Sequence, residues 1–187
     1  LADIHARAKA TGRTILPLAV NLTVAGIVLY SLARLLSLML LVMNDARIPA
    51  SAFMDALPPG RSLEHTYYPP TYEGSRFERE HNYPVYFVRG GEPLPTDKRF
   101  EYNAGEAGLV DRQTDYFVVD SFTSLKFDNP HYCESMPLEC TFFKQLESGG
   151  SEHYKPLAEF EYNLPPYLPQ IQFEFINPAI RIYERLP

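Results

Sequence analysis

Thirty consecutive residues, Thr14 to Met43 (TILPLAVNLTVAGIVLYSLARLLSLMLLVM), contain a single ionised side chain, that of Arg34. The twenty residues from Thr14 to Ala33 carry no charge at all. At about 1.5 Å of rise per helical residue such a run covers the roughly 30 Å hydrocarbon core of a bilayer, so the stretch predicts a membrane-spanning helix. Whatever follows the span must then lie on one side of the membrane.

Arg34 stands where a long cationic side chain can reach the far interface, which makes Leu35 to Met43 an external helical extension of the span. The span also contains Pro17, Asn21, Thr23, Gly26 and Ser31. Small and polar residues of this kind suit a helix packed against other helices, and a single anchor would also tolerate them because none is charged. The chain begins with Leu1, and the apolar block starts too late and runs too long for a cleaved signal peptide. The expectation is therefore a piece of a longer protein, with residues 1–13 a cytoplasmic loop between two spans. Arg7, Lys9 and Arg13 before the span outnumber Arg34 and Arg47 after it, which favours a cytoplasmic start.

The remaining residues, 44–187, suffice for one domain with its own core. A net charge of −6 without any cluster of Lys or Arg excludes nucleic acid as a partner, since phosphate neutralisation needs grouped cations. The only two cysteines, Cys133 and Cys140, fit a single bridge in an oxidising compartment or a pair of free thiols.

Periodicity places a short amphipathic helix over Asp45–Leu57, with Pro49 in its first turn and Pro58, Pro59 and Gly60 as its stop. Strands are expected at Ser62–Tyr67, Pro84–Arg89, Asp115–Asp120, Tyr154–Tyr162, Ile171–Phe175 and Ala179–Glu184. The rest of 69–108 reads as loop, and a helix is expected over Leu138–Leu146, ending at Gly149 and Gly150. This order predicts a small α/β or α+β domain with a mixed sheet, placed outside the cytoplasm.

Four stretches together resemble the carboxy-terminal part of a known family. Asp45-Ala46-Arg47 with Ala50, Phe53 and Pro58-Pro59-Gly60 resembles a D-x-R-x-x-A-x-x-W stretch followed by P-x-G, with Phe53 in place of the Trp. Tyr67-Tyr68-Pro69, then Asp115 to Val119 with Ser121, then Phe175-Ile176-Asn177-Pro178-Ala179-Ile180-Arg181-Ile182-Tyr183 follow in the family's order. The family is that of the multi-span glycosyltransferases of family 39, the protein-mannosyltransferase-like class. The resemblance implies an integral membrane enzyme, of the bacterial inner membrane in the first instance, that takes a sugar from a polyprenyl-phosphate donor on the outer face. It also implies that the catalytic acid lies in an early external loop outside this chain. No catalytic residue is thus carried over, and no cofactor is expected in this part; whether the whole enzyme uses a divalent metal stays open. The implied partners are membrane lipid, the polyprenyl-phosphate sugar and further spans of the same chain.

The departing lipid phosphate needs cations, and Arg47 and Arg34 stand where such a phosphate would be, with Asp45 beside Arg47. These three residues are the substrate-binding candidates. Asp45 and Arg47 as a purely structural ion pair, with Arg34 an interface marker, is the competing reading. His131, Cys133, Cys140 and His153 hold zinc-type ligands in a spacing that matches no compact finger. Glu78, Glu80, Asp111 and Asp115 invite a two-carboxylate hydrolase reading that no motif supports. A different class altogether is a single-pass protein whose external domain binds a ligand or partner without catalysis.

Overall fold

A computed structural model describes residues 2–83, 105–173 and 175–187, with side chains from Val20 onward other than those of His81 and Asn82. It divides into two compact units, Leu1–Met43 with Leu164–Gln172 and Asn44–Asn163 with Phe173–Pro187. The strand expected at Pro84–Arg89 falls outside the described residues.

The first unit is built on one helix, α1, Ala2–Met43. It begins well before the apolar run, so the loop expected over residues 1–13 is helical from Ala2. Ala2, Ala6, Ala8 and Ala10, with Arg7 and Lys9, are strong helix formers and extend the helix backwards. Among the described residues α1 supplies the one helix long and apolar enough to cross a membrane. Two of its hydroxyls turn inward along the helix: Ser31 Oγ donates to the Ile27 carbonyl at 2.8 Å and Ser37 Oγ to that of Ala33 at 3.1 Å. Such internal bonds let polar side chains stay in an apolar segment.

The second unit opens with α2, Arg47–Asp55, which carries Pro49 in its first turn as its sequence predicts. Its core is a five-stranded mixed sheet: β1 Ser62–His65, β2 Arg79–Asn82, β3 Tyr116–Asp120, β4 Tyr154–Phe160 and β5 Ile180–Arg185, in spatial order β2-β1-β3-β5-β4. The first three strands are parallel and β5 and β4 are antiparallel. β4 lies at an edge and tolerates Pro156, which has no N–H to offer, beside a register shift before Ala158.

Every residue of β3 is buried. Phe117 and Val119 join Tyr83, Leu109, Phe127, Phe142, Phe143, Leu146 and Tyr183 in one apolar layer. Tyr116 and Val118 join Ala50, Met54, Leu63, Ile180 and Ile182 in the other. Helices cover both faces: α2 on the second, and α3, Gly105–Asp111, with α5, Pro137–Ser148, on the first. A strand clothed on both sides should be continuously apolar, and YFVV at the centre of β3 is. The α5 helix closes at Gly149, whose φ of 71° is the left-handed cap the Gly-Gly pair predicts.

Several segments depart from the expected elements, α3 among them, since it begins inside the stretch expected as loop. The polar tetrapeptide of β2 has little strand propensity of its own and gains its conformation from pairing with β1. Asn129 caps an additional short helix, α4, Pro130–Ser135, by accepting from the His131 N–H at 3.0 Å. The stretch Ile171–Phe175 is not a strand over its described residues, and Phe175 has a φ of 73° that no strand accommodates.

Candidate functional site at the carboxyl end of the parallel strands

The parallel strands all end at one edge of the sheet, where β1 passes into Thr66, β3 finishes at Asp120 and β5 starts opposite Asp120 at Ile180. In the order β2-β1-β3-β5-β4 the chain leaves β1 toward β2 on one side and leaves β3 toward β4 on the other, so the gap between the ends of β1 and β3 is the switch point at which open α/β sheets bind ligands. Here that gap is closed by a network on Asp120, which is 1% exposed. Its Oδ2 accepts from Thr66 Oγ1 at 2.5 Å, Thr123 Oγ1 at 2.9 Å and the Tyr68 N–H at 3.1 Å, and its Oδ1 accepts from the Thr123 N–H at 2.8 Å. One carboxylate thus caps the helical turn Ser121–Ser124 and pins the chain that follows β1.

Asp45 and Arg47 belong to the same unit. Asp45 Oδ1 accepts from the Arg47 Nε and backbone N–H, both at 2.9 Å, and Oδ2 from Arg47 Nη2 at 2.7 Å, a fork-on-fork ion pair. Asn177 completes it from a segment over 130 residues away: its N–H donates to Asp45 Oδ2 at 3.0 Å, its Oδ1 accepts from the Ala46 N–H at 2.9 Å, and its Nδ2 donates to the Tyr162 carbonyl at 2.7 Å. Asn177 adopts a left-handed φ of 53°, a conformation Asn tolerates better than most residues.

Burial alone would raise the Asp45 carboxyl pKa. The Arg47 guanidinium and the N–H groups of Arg47 and Asn177 outweigh that and hold it below the usual value. The Asp45 hydrogen bond raises the Arg47 pKa, and the nearby Asp120 charge adds to it. Arg47 Nη2 also donates to the Phe175 carbonyl at 3.2 Å. The Phe175 ring, 55% exposed, lies 5.2 Å from that of Tyr68, which meets Phe122 edge-on at 5.7 Å. The result is a cation held beside an aromatic cluster, with 31% of the Arg47 side chain still open to solvent. A partly exposed guanidinium fixed in this way can present its remaining N–H groups to an anionic group.

Of the three sequence candidates, the structure brings Asp45 and Arg47 together as an ion pair; Arg34 is an exposed residue of the helical unit. Asn177, Asp120 and Tyr68 completed the constellation without being singled out as site residues. Asp120 has a local signal, a carboxylate at the last position of a parallel strand, whereas the role of Asn177 needs the fold.

The other constellations dissolve into structural roles. Cys133 and Cys140 are bonded to each other, which removes both thiolates from any zinc set. Asp115 accepts from the Ser62 N–H and Oγ and faces Arg61 and Arg185, while Glu80 takes the Tyr72 hydroxyl at 2.7 Å. What the fold and this cluster define is an α/β domain with helices on both faces of a mixed sheet, carried in one chain with a long apolar helix. In comparisons with known proteins, no family model, curated sequence or solved structure matches the chain.

Proposed function

We propose that the chain is the terminal span and external domain of a membrane glycosyltransferase that takes a sugar from a polyprenyl-phosphate donor. In this reading the catalytic acid lies elsewhere in the whole protein, and the domain positions the donor through Arg47. One observation carries it: three of the stretches that resemble family 39 motifs, Asp45-Ala46-Arg47, Tyr67-Tyr68-Pro69 and Phe175 to Tyr183, converge at one end of the sheet through Asn177, Arg47, Phe175 and Tyr68. Nothing in their local sequence requires them to meet. A bridge between Cys133 and Cys140 supports the external placement, because such bonds persist in oxidising compartments. Arg34 is the second candidate cation for the carrier phosphate, and Asp45 acts by holding Arg47.

Membranes carrying the whole protein, supplied with radiolabelled polyprenyl-phosphate sugar, should release polyprenyl phosphate. Arg47→Ala should raise the apparent KM for that donor, with Arg47→Lys restoring part of the loss. An unchanged donor KM in Arg47→Ala would remove the phosphate role, and absence of sugar transfer in the whole protein would overturn the enzyme reading. The alternative, a single-pass anchor carrying a non-catalytic binding domain, draws on there being one apolar helix of spanning length among the described residues. The reading frame upstream of Leu1 separates the two: further spans and an early external loop with paired acids belong to the enzyme.

A further inference from the structure

The nine residues Leu164 to Gln172, LPPYLPQIQ, contain no charged side chain, although Glu161 precedes them closely and Glu174 follows. They leave the external domain and join the compact unit of α1. Tyr167, at 83% exposed, is the most exposed large apolar residue among those described. Single exposed apolar residues are ordinary on a protein surface, so the weight lies on Tyr167 together with an uncharged run of nine residues. The same composition suits the interface of a bilayer, where Tyr sits with its ring among the acyl chains and its hydroxyl among the headgroups.

The backbone is adapted to the same place. Unsatisfied N–H groups are what make a loop expensive near hydrocarbon, and Pro165, Pro166 and Pro169 have none. The Leu168 N–H donates to the Pro165 carbonyl at 3.0 Å, closing a turn. The Gln170 side chain then donates to the carbonyls of Pro165 and Leu168, each at 3.0 Å, so this amide serves its own loop.

We propose that Leu164–Gln172 is a membrane-interface loop, seated among phospholipid headgroups with Tyr167 as its anchor. The inference rests on the reading of α1 as a span.

The chain contains no Trp, so single introduced tryptophans report their own surroundings. Tyr167→Trp, Val28→Trp in α1 and Leu138→Trp, at a position 70% exposed on α5, are each reconstituted as the full chain in phosphatidylcholine vesicles brominated on the upper acyl carbons. Residues at an interface lie about 5–10 Å into the headgroup and acyl boundary, within reach of these bromines, so Tyr167→Trp should lose emission by about twofold relative to unbrominated vesicles. Val28→Trp should also be quenched and Leu138→Trp should not. Quenching of Val28→Trp with unquenched Tyr167→Trp overturns the loop proposal and leaves the span standing. Unquenched Val28→Trp removes the span and the proposal with it. Equal quenching of Leu138→Trp and Tyr167→Trp means that the whole domain adsorbs to the vesicle, which also overturns the proposal.

Discussion

Asp45 and Glu139 are both nearly removed from solvent, at 7% and 5% exposed, yet their acidities move in opposite directions. Desolvation penalises the charged form of each. At Asp45 a guanidinium fork and two backbone N–H groups reverse the penalty, and the pKa falls. Glu139 accepts from two neutral donors, the Tyr83 hydroxyl at 2.6 Å and the Gly105 N–H at 3.0 Å, while Arg112 acts on it only at a distance through its charge. Burial therefore prevails and the Glu139 pKa rises. The comparison shows that, of these two buried carboxyls, the one bonded directly to a cation has its pKa lowered and the one bonded to neutral donors has it raised, and the first stands at the end of the sheet proposed to meet the lipid donor.

The largest effect that could break this contrast comes from Asp45→Ala. It removes four hydrogen bonds and strands the Arg47 guanidinium, which should destabilise the full chain in detergent micelles by about 2–3 kcal/mol, reduced from the fully buried case because Arg47 is part exposed. Denaturant midpoints measure it, and a loss near zero would show that Asn177 and the backbone hold this corner without the ion pair. Next, replacing Cys133 and Cys140 by Ser should cost about 2 kcal/mol, the chain-entropy value for so short a loop. The double variant should then lose its sensitivity to reductant.

A smaller effect tests the signs directly. Glu139 has a folded pKa above its reference of 4.5, so its stabilising contribution is complete below that pH and lost as pH rises through the folded value. Asp45 has a folded pKa below its reference of 3.8, so its contribution is present above that pH and lost as pH falls through the folded value. From acid to neutral pH, Glu139→Gln should gain on the wild type while Asp45→Asn falls behind it, and parallel slopes in the two variants would contradict the assignment. Arg61→Ala supplies the lower end of the scale. Its exposed pairing with Asp115 at 3.4 Å should be worth no more than about 0.5 kcal/mol and should vanish in high salt.

Legibility in the sequence followed the source of each conformation. The YFVVD strand, α5 with its glycine stop and the proline-started α2 carry local signals strong enough to be read directly. The β2 segment REHN carries none, and Ile171–Phe175 carries a false one, since its alternating apolar residues lie beside Pro169 and Pro178. Asp45 and Arg47 are two residues apart and readable as a pair, whereas the contribution of Asn177 comes from across the fold.

By itself the sequence determined that one helix is long and apolar enough to cross a membrane, that a mixed α/β domain follows, and which side chains could pair locally. Those features depend on periodicity, length and capping chemistry acting over a few residues. Only the tertiary structure decided the strand order β2-β1-β3-β5-β4, the bridge between Cys133 and Cys140, and the meeting of Asp45, Arg47, Phe175 and Asn177 at one end of the sheet. Such contacts form between segments far apart in the chain, where loop closure and burial of both sheet faces select the partners and local propensity has no say.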